Sequence, residues 1–355
     1  MPTPPDVAPH SYSRDLARPR RRRRRAALVA PAVLGVLGVL AATGCGVGLP
    51  FGLGGRDELW GIASPPDARS AASAAAHAGA LDVVIDGWIA LDSVTGAPLL
   101  DSAAAAPGAR PARRMAVVST FTGNRAHPEL VRALANDDAA LGRVAAVLAS
   151  RVTGAGFAGI VVDFEEHDAR DVDALVKVVR ALGDSARAAG IAPVVVAVPA
   201  GDTAAYPARP LLAGADLVLV ELYDQHWGGS SPGTVAAPDW VRQQLGRRVA
   251  EVGGGRLVAS LPLHGYAWRT GGGAQLVSFE QARALAATAG TFLERDPASH
   301  SLRALRAGEW EVWVSDAALV RELAAEARAS GVRRVALWRL GLEDPALWGA
   351  LAGRD

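Results

Sequence analysis

The feature that most constrains this chain is a beat repeated eight times. Short β-branched apolar runs, LWGIAS, LDVVIDGWIAL, RMAVVSTFTG, FAGIVVDFE, APVVVAVPA, DLVLVELYDQHW, RLVASLPLHGYAW and RRVALWRLG, alternate with alanine-rich stretches. Segments such as ALGRVAAVLASRVTGAG and VDALVKVVRALGDSARAAG are apolar at helical spacing and close on glycine, where a helix C-cap wants it. Strands apolar on both faces belong to a parallel sheet covered by helices. Eight such units over about 290 residues predict an α/β fold, the (β/α)8 TIM barrel. A doubly wound open sheet would want a glycine-rich phosphate turn after an early strand, and GGSSPG and TGGGAQ lack the flanks for one. The span from Val277 to Glu311 is longer than a helical crossover and predicts a small insertion between strands seven and eight.

Before the first strand the composition changes. Residues 1–25 are rich in proline and arginine and end in the block Arg18 to Arg25, which abuts an apolar run from Ala26 to Thr43. Positive charge against a nearly membrane-spanning apolar stretch reads as an export signal or anchor rather than a nucleic-acid tail. The run ends at AATGC, similar to a bacterial lipobox, and Cys45 is the sole cysteine of the chain. Two outcomes follow: a lipid-modified Cys45, or an uncleaved anchor at 26–45. A glycine-rich tether at 46–58 then leads to a folded domain at 59–355, expected outside the cytoplasm, membrane-associated or secreted, and monomeric. Half of the 355 residues are apolar, enough for a full core, and one cysteine allows no intramolecular disulfide. The net charge of +1 gives no electrostatic case for nucleic acid as a partner.

The chemistry gathers at strand ends. In GIVVDFEEHD, strand alternation turns Val161, Asp163 and Glu165 to one face and Ile160, Val162 and Phe164 to the other. The first set is expected inside the barrel, its acids at the C-terminal end where active sites of this fold collect. Two carboxylates of one sign do not both ionise easily in a closed interior, so a shared proton suits a general acid, although a structural acid pair is the plainer alternative. Glu166 and Asp168 fall off this face and read as solvated loop residues. Strand six adds Glu221 and Tyr223 on one face, with Asp224, His226 and Trp227 at its exit. Tyr266 and Trp268 leave strand seven and Trp338 leaves strand eight, while Trp88 ends strand two. Four tryptophans on one rim suit sugar rings, although a tryptophan is more often core.

These residues carry a resemblance to glycoside hydrolase family 18, the chitinase-like barrels, over nearly all of Leu59 to Trp348. FAGIVVDFE resembles the DGxDxDxE strand, LYDQHW the tyrosine-aspartate strand, and LWRLGLEDPALW the last strand with its tryptophan floor. IDGWIAL and WVSDA look most like the bacterial branch related to spore-cortex hydrolases and to barrels fused with polysaccharide deacetylases. The resemblance implies hydrolysis of an N-acetylglucosamine-containing polysaccharide with retention, assisted by the substrate, without metal or other cofactor. Glu165 would match the general acid and base and Asp163 the residue that steadies the N-acetyl group. Tyr223 would donate to that group, Asp224 would assist, and Trp338 would floor the distorted sugar. Trp88, Trp227, Trp268, Glu221 and Tyr266 are expected to line the substrate cleft.

Ala158 and Val161 stand where the resemblance expects two further aspartates, and Glu221 stands where methionine is frequent. A barrel that binds wall glycan without cutting it is therefore the rival reading. A metal-dependent hydrolase built on Asp163, His226 and His264 lacks any HxH or HExxH spacing; both histidines read as hydrogen-bonded rim residues.

Overall fold

The structure, a computed structural model, describes residues 57–64, 67–101 and 113–351. The arginine block, the apolar run, Cys45 and most of the tether lie outside these residues. Among the described residues no helix is long and apolar enough to cross a membrane.

The chain runs from β1 (Glu58–Ile62) through α1 (Ala68–Ala76) to β2 (Val83–Leu91), β3 (Pro98–Asp101) and β4 (Arg113–Ser119). Helices α2 (Pro128–Ala135) and α3 (Asp138–Gly154) lead to β5 (Gly159–Asp163), and α4 (Val172–Ala188) to β6 (Val194–Pro199). Next come α5 (Ala208–Leu211), β7 (Leu217–Glu221), α6 (Pro238–Val252) and β8 (Leu257–Pro262). The second sheet holds β9 (Gly265–Arg269), β10 (Ala274–Val277), β11 (Glu294–Arg295), β12 (Leu302–Arg306) and β13 (Trp310–Val314), with α7 (Phe279–Thr288) after β10. The chain closes with α8 (Ala317–Ala329), β14 (Arg334–Trp338) and α9 (Ala346–Leu351).

Eight parallel strands form a closed barrel in the order β1, β2, β4, β5, β6, β7, β8, β14, with β14 paired back to β1. This is the (β/α)8 architecture expected from the alternating runs. Strand β3 is an addition, an antiparallel ribbon on β2. The insertion between β8 and β14 also begins earlier than expected. The run RLVASLPLHGYAW breaks after Pro262, and Gly265 starts β9 in the separate five-stranded antiparallel sheet. A Cβ at Gly265 would stand 2.0 Å from the Trp313 carbonyl oxygen, so only glycine lets β9 and β13 approach so closely.

Two apolar layers follow from strand alternation. Ile160, Val162 and Phe164 pack outward with Leu148, Val152, Leu175 and Val178 of α3 and α4. Val161 points inward with Val117, Val195, Leu219, Ile85 and the fully buried Trp60. Each inward aliphatic side chain removed from water contributes about 1.5–3 kcal/mol. Helix starts are set locally: the Asp137 carboxylate accepts from the Ala140 N–H at 2.8 Å, and Ser278 with Gln281 forms a reciprocal capping box on α7. Gly156 and Gly190 follow α3 and α4 at φ of 74° and 78°, the left-handed turn that ends each helix.

Candidate active site

The C-terminal mouth of the barrel opens into a cavity of about 440 Å³. Strand β5 delivers Asp163 and the following Glu165, both half-buried, above inward-facing Val161. Lateral register puts Val161 between Val117 and Val195, and Asp163 beside Ser119. The layer beneath the acids is thus apolar. Ala158 lies outside that layer, exposed before β5, so an aspartate at that position would have no place in the interior.

Strand β7 brings Glu221, Tyr223 and Asp224 to the same cavity. The Tyr223 hydroxyl donates to Glu221 Oε1 at 2.8 Å. Burial, followed by the charges of Glu221, Asp224 and Asp163, pushes the Tyr223 phenol well above its ordinary range. Three carboxylates therefore surround one phenol that stays protonated and keeps its hydrogen to donate.

Trp338, at the end of β14, forms the floor. Its ring stacks on Tyr223 at 5.8 Å with planes 18° apart, and Trp88 tilts against it at 6.3 Å. The Trp88 indole N–H donates to the Ala63 carbonyl at 2.8 Å, which fixes that ring against the end of β1. Tyr266, from β9 of the insertion, and Trp227, from the loop after β7, also line the cavity. Trp268 does not line the cavity: it is buried behind Tyr266, and its indole N–H donates to the Ser230 carbonyl at 3.1 Å, tying the insertion to the loop after β7.

His264 lines the cavity between Tyr223 and Tyr266, edge-on to both rings at 6.2 and 5.4 Å. Burial, aided by the charge of Arg339, holds its pKa down to about 4, so it is neutral at pH 7. His226 instead turns its Nδ1 to the Ser231 carbonyl at 3.0 Å and stays off the cavity wall. Among the described residues no group of three or more His, Cys, Asp or Glu side chains is arranged to hold a metal ion.

The loop that carries Glu165 is pinned from below. The Tyr206 hydroxyl, buried, donates to the Phe164 carbonyl and accepts from the His167 N–H, each at 3.0 Å. Asp168 is exposed and bonded to Arg170. Glu166 is exposed too, but it lies at the cavity edge because its backbone sits at φ of 61°, in the left-handed region that a glutamate seldom adopts. Alternation along the strand gives no sign of such a turn. Arg69 and Arg339 also line the cavity, and no spacing pattern in the sequence marks them.

No family model matches the chain. A Bacillus subtilis protein, YdhD, described as a sporulation-specific glycosylase, is 27% identical over 160 residues, 43% of this chain and 38% of that relative. The chain thus spans well under half the length of the curated relative it matches. Among solved structures, a chitinase from Chromobacterium violaceum superposes with a TM-score of 0.72 at 24% identity, covering 83% of this chain and 98% of that one. The spore cortex-lytic enzyme SleL of Bacillus megaterium superposes at 0.74 and 17% identity, covering 84% of this chain and 73% of that one. The likeness is one of fold: this is a (β/α)8 barrel of the kind those chitinase-like proteins share.

Proposed function

We propose that the protein is a glycosidase that cuts N-acetylglucosamine-containing polysaccharide with retention, using the substrate's acetamido group as the nucleophile. The observation that carries this reading is the convergence of Asp163, Glu165, Tyr223 and Asp224 in one cavity above Trp338. The fold likeness to a chitinase and a cortex-lytic enzyme supports it.

In this reading Glu165 gives its proton to the glycosidic oxygen as the bond to the anomeric carbon breaks, and the acetamido carbonyl oxygen bonds to that carbon. The result is an oxazolinium ion, with the leaving sugar departing as the alcohol. Glu165, now a carboxylate, takes a proton from water as the water oxygen attacks the anomeric carbon and reopens the ring. Asp163 accepts from the acetamido N–H, Tyr223 donates to its oxygen, and Asp224 assists. Trp338, Trp88, Trp227 and Tyr266 present ring faces and edges to the sugars. Trp268 acts at one remove, by holding the Trp227 loop.

Mass spectrometry of the products released from peptidoglycan, chitin and poly-N-acetylglucosamine tests the reading. Wild-type protein is expected to release N-acetylglucosamine-terminated fragments from at least one of them and Glu165→Gln to release none; equal release by both would overturn it. A second reading, a barrel that binds wall glycan without cutting it, draws on the apolar layer around Val161 at the bottom of the cavity. Glycan binding by a wild type that releases nothing would favour it.

The same proposal places the domain outside the cytoplasm, held by a lipid on Cys45 or by the uncleaved run at 26–45, and working as a monomer. The arginine block against an apolar run is its support. Lipid labelling lost in Cys45→Ser would support the lipoprotein form, and recovery of the folded domain in the cytoplasm would contradict export.

A further inference from the structure

The mouth of the cavity is electrically lopsided. In the closed strand order, β14 and β1 stand across the barrel from β5 and β6. The β5 side carries Asp163, Glu165 and Glu166, and β7, separated from β5 by β6, adds Glu221 and Asp224. The opposite side carries Arg69, from the first turn of α1, and Arg339, directly after the floor residue Trp338. Both arginines lean on one carboxylate: Arg69 Nη2 reaches Asp67 Oδ2 at 3.0 Å and Arg339 Nη2 reaches the same oxygen at 3.3 Å. Two guanidinium groups on one aspartate leave a net positive charge beside the tryptophan floor.

Arg339 is also short of acceptors. Its side chain is 15% exposed, yet its Nε has no hydrogen-bond partner. Burial and the like charge of Arg69 press its pKa down against the pull of Asp67, the pattern of an incompletely compensated cation. Structural stapling of β14 to α1 needs one arginine on Asp67, and the second adds charge that packing does not require. A neutral glycan offers it hydroxyl and carbonyl acceptors but no counter-charge. Planar guanidinium groups match carboxylates in shape and charge.

We propose that Arg69 and Arg339 form a subsite for a carboxylate carried on the glycan, such as the lactyl carboxylate of a muramyl sugar, freed of its stem peptide, next to the N-acetylglucosamine over Trp338. This rests on the glycosidase reading of the same cavity and narrows its substrate class from N-acetylglucosamine-containing polysaccharide in general to glycan that carries a free carboxylate. Arg69 is the residue to vary, because it is exposed, whereas Arg339 is half-buried.

The test is binding to full-length Glu165→Gln protein of two probes of equal length. One is an oligosaccharide of alternating N-acetylglucosamine and N-acetylmuramic acid with free carboxylates; the other is a neutral chito-oligosaccharide. The anionic probe is expected to bind more tightly, with a preference that shrinks as salt rises. Arg69→Ala should reduce that preference about ten-fold, the loss of one charge-assisted hydrogen bond, and Arg69→Lys should restore part of it. Equal affinity for the two probes, or a preference untouched by Arg69→Ala, overturns the inference. Because the readout is binding, it stands apart from hydrolysis: a wild type that cuts neither glycan but keeps the arginine-dependent preference defeats the glycosidase reading and leaves the subsite intact.

Discussion

The Tyr223 hydroxyl donates to Glu221 Oε1 at 2.8 Å, so the one hydrogen an acetamido carbonyl would need is held by a carboxylate two residues earlier in the chain. A phenol has one hydrogen to give. In the proposed reaction, substrate and Glu221 compete for it, and Glu221 acts through Tyr223 rather than on the sugar.

Tyr223→Phe is therefore expected to lower kcat by about 100-fold, in the range for loss of a single donor to a developing oxyanion. Glu221→Gln should change KM more than kcat. In a Tyr223→Phe background the Glu221 substitution should have almost no effect, since the shared hydrogen is gone. Additive effects in the double variant would mean that Glu221 contacts substrate directly.

Val161 fills an apolar layer between Val117 and Val195, with Leu219 and Ile85 in the same cluster. Placing a carboxylate there by Val161→Asp should destabilise the fold by about 3 kcal/mol or more, because none of these neighbours can bond to it. Urea denaturation measures the change. A variant as stable as wild type would show that the interior admits water or a counter-charge at that depth.

His264 has a folded-state pKa near 4 against an ordinary value of 6.5, chiefly from burial. Between those values the unfolded chain binds a proton that the folded chain refuses. Stability is then fully present above pH 6.5 and falls as the pH drops toward 4, by about 3 kcal/mol from this group. Urea midpoints across that window should fall less steeply with acid in His264→Asn than in wild type. Parallel pH slopes would assign the acid sensitivity to other groups.

Tyr206 bridges the Phe164 carbonyl and the His167 N–H beneath Glu165. Tyr206→Phe leaves both backbone groups without that partner and should cost about 1–3 kcal/mol of stability. It should also lower kcat with little change in KM, because the acid's loop is loosened while the aromatic cleft is untouched. Unchanged kcat at reduced stability would confine Tyr206 to a structural part.

The barrel was legible in the sequence because parallel strands covered by helices must be apolar on both faces, and eight such runs recur. The inward set of Val161, Asp163 and Glu165 was legible because alternation is a property of the extended backbone itself. Its reach ends where the strand ends: Glu166 arrives at the cavity edge through a left-handed residue, and that conformation has no sequence mark. The early start of the insertion was hidden because LPLHGYAW stays apolar while the chain passes from one sheet to another. Arg69 and Arg339 were hidden because nothing local distinguishes an arginine paired on the surface from one at a cavity wall. Trp268 had the composition of a rim aromatic, but packing behind Tyr266 decides its place.

The proposed reaction proceeds with retention through the substrate's acetamido group, with Glu165 moving the protons. Proton NMR of the reducing ends formed in the first minutes of digesting a β-linked N-acetylglucosamine oligosaccharide reads it most directly. The β anomer is expected first, equilibrating to α only by mutarotation, with no product from the deacetylated oligosaccharide. Initial release of the α anomer, or equal cleavage of the deacetylated chain, would contradict it.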